Sequence, residues 1–443
     1  MPDGQGPMSW DYGVARDDAA TAKLKPAYSP FVDGRYVGGG DPLTVHNPAT
    51  GERLAEVATA GPADVQRAVA AARRAQVDWG TLPARRARLL FRLAQVVADR
   101  ADELASLEAL DAGRPVRRAR DDLSAVAAHL RSCAGWADKL EFAGFGPAPR
   151  PVGVLGVLVA GALPAVVRRV APALACGNAV VLVPDPDAPL GALVLAEAAA
   201  EAGLPDGVLN VVPGGVLGGD VDAVAVTGPP AFCREAARLV PGRAVARETT
   251  GGLAQVVHDD APLDQAVDGI VEALGDDQRV LVAESVADEF GELLRERLAR
   301  LRVGDPLDHN TDLGPMSSAR RRDRTVALAT AADDEGARRW TSPTRLPERG
   351  WFLAPTVFTD VAPTMRVARE EIPGPLLPVL TFRTPAEAVA TAGAPRAAAV
   401  WTDKGSRALW TAQRLRAGVV WVNAVNRWEP AAPAAALADH LVF

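Results

Sequence analysis

Apolar positions recur in two distinct rhythms along the chain. Between Pro62 and Trp136 they keep helical spacing, with Val65, Val69 and Ala72 at i, i+4 and i+7 behind a first-turn proline, Pro62. The same period predicts a second long helix over about 83–110, closed by Gly113, and a third over about 117–136. Ahead of them, Phe31-Val-Asp-Gly-Arg-Tyr-Val37 predicts a hairpin, because Asp33-Gly34 supplies residues that tolerate positive φ. Asn47-Pro-Ala-Thr-Gly-Glu52 is a further turn signal.

From Pro151 the rhythm becomes an alternation of strand and helix. Val152–Val159 and Ala179–Val183 are apolar, β-branched runs too continuous for half-exposed strands, so they belong in a sheet covered on both faces. Leu190–Ala202 and Ala231–Val240 read as helices, Val208–Val212 and Ala223–Val226 as strands. A second alternating unit begins near Arg247. Its helices are expected at 263–274 and 288–301, and its strands at 280–283, 357–359, 377–382, 398–401 and 418–422. This β-α-β order predicts an α/β fold with parallel, doubly wound sheets in two Rossmann-like units. The Ala- and Arg-heavy stretches read as a habit of composition.

Composition narrows the functional classes. The 48% apolar and 23% charged fractions suit a soluble globular chain. Lys+Arg 48 against Asp+Glu 55 leaves −7, so no basic field draws in nucleic acid or anionic lipid. Cys133, Cys176 and Cys233 lie far apart with no CxxC pair, which argues against a disulfide framework or a thiolate zinc site and suits a reducing cytoplasm. The histidines show no HxH or HExxH spacing for a metal. The longest uncharged apolar stretch, 151–167, is too short to span a bilayer and contains Gly153, Gly156, Gly161 and Pro164. The first thirty residues lack the apolar core of a signal peptide, so a cytoplasmic location is expected.

Specific words of the sequence then accumulate in order. They are Asn47-Pro-Ala-Thr-Gly-Glu52, Ala171-Pro-Ala-Leu-Ala-Cys-Gly-Asn178, Ala202-Gly-Leu-Pro-Asp-Gly-Val-Leu-Asn-Val-Val212 and Val226-Thr-Gly228. Gly304-Asp-Pro-Leu307 with Leu313-Gly-Pro315, Ala354-Pro-Thr-Val-Phe358, Glu370-Glu-Ile-Pro-Gly-Pro375 and Ala417-Gly-Val-Val-Trp-Val-Asn423 follow. Together they resemble the aldehyde dehydrogenase superfamily over about residues 30–426. The resemblance implies an arm at 1–27, an NAD(P)-binding-type domain at 28–247 with an oligomerisation hairpin near 137–152, a catalytic-type domain at 248–426 and a shortened tail at 427–443.

It also implies a chemistry: a cysteine thiolate attacks the aldehyde, an asparagine amide and a backbone N–H hold the oxyanion, and a glutamate acts as base. The nucleophile's segment should lie between Leu274 and Arg279, but Leu274-Gly-Asp-Asp-Gln-Arg279 leaves no room for it. Ala162 stands at the oxyanion asparagine's position. Glu248 matches the catalytic glutamate, and Glu371 the glutamate that holds the nicotinamide ribose. Thr227 and Gly228 head the pyrophosphate turn, but Pro229-Pro230 remove N–H donors from the helix that follows. Val183 replaces a ribose-binding lysine and Pro186 an acid, while Asp185 or Asp187 offers a strand-end acid to an adenosine ribose.

NAD or NADP is thus implied by resemblance, with binding weakened or lost. The tail after Trp428-Glu-Pro430 is expected to lack the family's substrate loop and to cut its interface strand short, leaving an edge for a partner. The reading these losses favour is a catalytically inactive family member acting as a structural or regulatory partner, in a homo- or hetero-oligomer with an active aldehyde dehydrogenase. The alternatives are an active NAD(P)-dependent aldehyde dehydrogenase and a nucleotide or small-molecule sensor.

Overall fold

Asp33 and Gly34 turn the chain at φ of 54° and 77°, so Phe31–Val32 (β1) and Arg35–Tyr36 (β2) pair antiparallel as the hairpin pattern predicts. The computed structural model describes residues 13–143, 149–218, 220–249, 251–426 and 441–442. Beyond the hairpin, the apolar runs form Val154–Val159 (β3), Ala179–Val183 (β4), Leu209–Val211 (β5) and Ala223–Gly228 (β6). Ala244–Thr249 (β7) adds a strand that the pattern did not predict, because Arg247, Glu248 and Thr249 make it polar and it lies half-exposed at the sheet edge. The order is β7-β6-β3-β4-β5-β1-β2, with β3 to β7 mutually parallel. Every residue of β3 and β6 is buried, as a sheet covered on both faces requires.

The covering helices are Pro62–Thr81 (α1), Pro83–Asp99 (α2), Ala101–Ala112 (α3), Val116–Trp136 (α4), Leu163–Ala175 (α5), Leu190–Glu201 (α6) and Pro230–Leu239 (α7). The single helix expected over 83–110 is in fact two. Arg100 breaks it at φ −99° and ψ 17°, and its guanidinium pairs with Glu103 and, at 3.5 Å, with Glu201. The break turns α3 inward, where residues 103–111 are all buried.

Two devices of buried charge hold these helices. Arg86, 3% exposed, donates from Nε to Ala175 O (2.8 Å), from Nη1 to Trp79 O (2.8 Å) and from Nη2 to Ala137 O (2.9 Å). One side chain of α2 therefore caps the carboxyl ends of α1, α4 and α5. Burial lowers its pKa to about 10, so it stays charged at neutral pH. At the other ends, α5 and α6 begin at Ala162 and Pro189 without a side-chain cap of their own. The carboxyls of α3 supply it: Glu108 Oε1 accepts from Leu163 N–H (3.2 Å), and Asp111 Oδ2 from Leu190 N–H (2.9 Å).

The second unit has Leu253–Val257 (β8), Gln278–Ala283 (β9), Arg338–Thr341 (β10), Thr356–Thr359 (β11), Leu376–Phe382 (β12), Ala397–Trp401 (β13) and Val419–Val422 (β14). They lie in the order β10-β11-β12-β9-β8-β13-β14, parallel except for β10. Its helices are Leu263–Glu272 (α8), Ala287–Ala299 (α9), Ala319–Asp334 (α10), Arg366–Arg369 (α11), Pro385–Ala392 (α12) and Gly405–Arg414 (α13). Phe290, Leu294 and Leu298 of α9 pack with Ile270, Val280 and Val282 in its core. The chain crosses from the first sheet to the second between Thr249 and Leu253.

The carboxyl terminus corrects one expectation. Leu441–Val442 pairs antiparallel with Arg150–Pro151, so this chain itself supplies a short strand to the arm. Trp428, Glu429, Pro430 and His440 lie outside the described residues. Among the described residues no helix is long and apolar enough to cross a membrane, and no group of three or more His, Cys, Asp or Glu residues is placed to hold a metal ion.

Burial raises the pKa of Glu108 from 4.5 to about 7 and pushes that of Asp111 well above the carboxylate range. The folded state therefore binds the Glu108 proton more tightly than the unfolded chain. That contribution to stability is complete below about pH 4.5 and is lost as pH rises through 7. Glu108→Gln keeps the side-chain acceptor and cannot ionise. Its melting temperature relative to the native chain is expected to climb steadily from pH 5 to pH 8, as read by thermal unfolding across that range.

Candidate active-site cleft

From the central strand β3 the chain winds to β4 and β5 on one side and to β6 and β7 on the other. In an open parallel sheet a crevice forms at such a reversal, outside the carboxyl ends of the strands, here those of β3 and β6. Side chains fill it. An added Cβ at Gly228 would lie 2.6 Å from the Phe232 ring and 2.9 Å from Ala160 Cβ. Pro229 and Pro230 open α7 without N–H groups. Thr227, 1% exposed, accepts from Arg169 Nε (2.8 Å) and donates to Glu248 Oε2 (3.4 Å). Ala162 caps α5 with no polar side chain.

Glu248, on β7, is the hub of the cleft. Arg168 Nη1 and Arg169 Nε of α5 each lie 3.3 Å from its carboxylate, and Arg396 Nη1, just ahead of β13, lies at 3.8 Å. One carboxylate thus ties the first unit to the second.

Residues 273–277 connect α8 to β9. Gly275 takes φ 99°, and the two aspartates turn back onto the protein. Asp277 accepts from Gly252 N–H (2.8 Å) and Ile372 N–H (3.0 Å), and Asp276 accepts from Asn426 Nδ2 (3.0 Å). Gly251, at φ 81°, is required where it stands, since an added Cβ would come within 2.2 Å of Asp277 Oδ2. No thiol lies on this connection.

All three free cysteines are buried. Burial pushes the Cys133 thiol up to about 12 and raises Cys176 and Cys233 as well, so none is a thiolate at neutral pH. Cys133 lies on α4 with Sγ 3.7 Å from His129 Nε2. Cys233, on α7, donates to Gly228 O (3.3 Å) and lies 3.7 Å from Glu248 O.

The two ribose candidates are brought to the same side of the cleft, each against arginine. Asp185, 3% exposed, pairs with Arg321 Nη2 at 2.6 Å. Asp187 accepts from Arg321 Nε (3.1 Å) and Arg320 Nη2 (2.7 Å). Glu371 faces Arg324 at 3.6 Å, and burial raises its pKa against that arginine's opposing effect. Sequence reasoning passed over Arg168, Arg169, Arg320, Arg321, Arg324 and Arg396. The signal available was the pairing of charges in Arg168-Arg169 and Arg320-Arg321-Arg322, each at a helix that otherwise packs against a sheet.

Arg321→Ala would strand the Asp185 carboxylate in the interior. Breaking a buried pair by removing one partner costs about 3–5 kcal/mol. Arg320 is largely exposed, and Arg320→Ala is expected to cost less than about 1 kcal/mol. Urea unfolding of the two variants reads the difference.

The geometry can be set against known proteins. The model of the aldehyde dehydrogenase family matches residues 36–435. A betaine aldehyde dehydrogenase of Rhizobium leguminosarum bv. trifolii is 36% identical over an alignment of 451 residues that covers 91% of each chain. An NAD-dependent aldehyde dehydrogenase from Sinorhizobium meliloti superposes with a TM-score of 0.87 at 34% identity, over 94% of this chain and 91% of that one. An NAD+ complex of a Bacillus cereus aldehyde dehydrogenase superposes at 0.89 with 29% identity, over 97% and 98%. With sequence, sheet order and three-dimensional course in agreement, this chain belongs to the aldehyde dehydrogenase family.

Proposed function

We propose that this chain is a member of the family without acyl-enzyme chemistry, serving as a structural or regulatory partner of a catalytically complete relative. The observation that carries this reading is the connection 273–277, where a nucleophile is needed: Asp277 binds two backbone amides there and Asp276 the Asn426 side chain. Covalent aldehyde oxidation requires a thiolate, and the three thiols are buried with raised pKa values. An oxyanion would also find Ala162 in place of a side-chain donor, and loss of one such donor costs about 10²–10³ in rate.

The residues of the crevice do not fit a dinucleotide. Phe232 and Ala160 occupy the space beside Gly228, α7 starts without N–H groups, and Asp185 and Glu371 answer to arginines. No step is routed through NAD or NADP on this reading. A hetero-oligomer with an active relative is the assembly this reading favours.

A second reading, an active NAD(P)-dependent dehydrogenase, is favoured by the betaine aldehyde dehydrogenases that this chain resembles along nine-tenths of its length. On that reading Cys233 is the thiol to examine, because its Sγ lies 3.7 Å from the backbone carbonyl of Glu248.

Incubation with NAD or NADP and a panel of aldehydes that includes betaine aldehyde is expected to give no reduced nicotinamide above background. Turnover that Cys233→Ser abolishes would establish the second reading instead. Each lost hydrogen bond to a charged group is worth about 1.5–3 kcal/mol, so two or three together leave NAD with at best roughly millimolar affinity in titration calorimetry. Co-expression with a catalytically complete relative, followed by size-exclusion chromatography with light scattering, tests the partnership: co-elution supports it and a persistent monomer defeats it.

A further inference from the structure

A cavity of about 30 Å³ lies beneath α12, on the face of the second sheet turned away from α8 and α9. Ala254, Leu281, Leu380 and Pro363 give it apolar walls, and Arg279 and Thr391 are its polar lining. Arg279 sits on β9 immediately after the shortened connection. Its one hydrogen bond runs from Nη2 to Glu370 O at 3.3 Å. Its Nε–H is shielded from solvent and has no acceptor among the described residues. No ion pair engages its guanidinium among those residues. The nearest charge in its electrostatic reach is Asp277, both of whose oxygens are committed to the Gly252 and Ile372 amides.

A shielded donor on a cation without an ion pair, beside a void, asks for an acceptor. Water would supply a neutral hydrogen bond. An anion supplies a stronger, charge-assisted one in a setting of low dielectric. The polar lining is one guanidinium and one hydroxyl, too few donors for phosphate or sulfate and enough for a monatomic anion. We propose that this cavity is a binding site for a small monovalent anion of chloride size, held by Arg279 Nε with the Thr391 hydroxyl as a second donor. The bound ion ties β9 to the segment between α11 and β12, which carries Glu371. The site lies outside the crevice, and its existence is independent of whether the cleft is catalytic.

The full chain, exchanged into sodium gluconate, is titrated with sodium chloride at constant ionic strength while thermal unfolding is followed. A saturable rise in melting temperature is expected, since a ligand that binds only the folded state stabilises it. In Arg279→Met the rise should vanish. In Arg279→Lys, which keeps the charge and loses Nε, half-saturation should need at least about tenfold more chloride. Crystals soaked in sodium bromide should show an anomalous peak within hydrogen-bonding distance of Arg279 Nε. A chloride response equal in Arg279→Lys and the native chain, or a soaked crystal with water and no anomalous peak in the cavity, would overturn the assignment. If Arg279→Met does not fold, the lysine variant and the bromide crystal decide the question.

Discussion

The shortness of the connection between α8 and β9 governs everything else in the cleft. A chain reaches at most ~3.3–3.6 Å per residue, and residues 273–277 must leave a helix, turn through Gly275 and enter a central strand within that reach. Nothing remains to loop into the space between the sheets. Asp276 and Asp277 therefore face backbone amides and Asn426, and they close the floor of the cleft. The carboxylates around it are paired with guanidiniums. Glu248 finds Arg168, Arg169 and Arg396, and Asp185 finds Arg321.

The helices of the first unit rest on buried ionisable groups, one of which reaches the cleft at Leu163. Arg86 caps the carboxyl ends of α1, α4 and α5, and Glu108 and Asp111 cap the amino ends of α5 and α6. Burying such groups is costly, and Glu108 Oε1 and Asp111 Oδ2 find their amide partners only when α3 meets α5 and α6. They favour one arrangement of α1 to α6 over looser packings, whatever the crevice beyond them contains.

How far the sequence revealed this depended on the range of the interactions involved. The strands β3, β4 and β6 were legible because an apolar run buried on both faces is a local pattern. The hairpin at Asp33-Gly34 was legible because positive φ restricts residue type. The break at Arg100 was not, since apolar spacing continues through it. Nor was β7, a polar edge strand held by its neighbour rather than by burial. The absence of a thiol between Leu274 and Arg279 could be read from residue identities alone. The guanidiniums that fill the cleft could not, because Arg321 meets Asp185 and Arg396 meets Glu248 across the fold from distant parts of the chain.

The pairing of Asp185 with Arg321 couples two positions in an unequal way. Asp185 is nearly inaccessible, so removing Arg321 alone strands its carboxylate, whereas Arg321 without Asp185 still keeps Asp187. Substitution at this corner is therefore directional: Asp185 can become neutral first and Arg321 can change afterwards, while the reverse order passes through an unpaired buried acid.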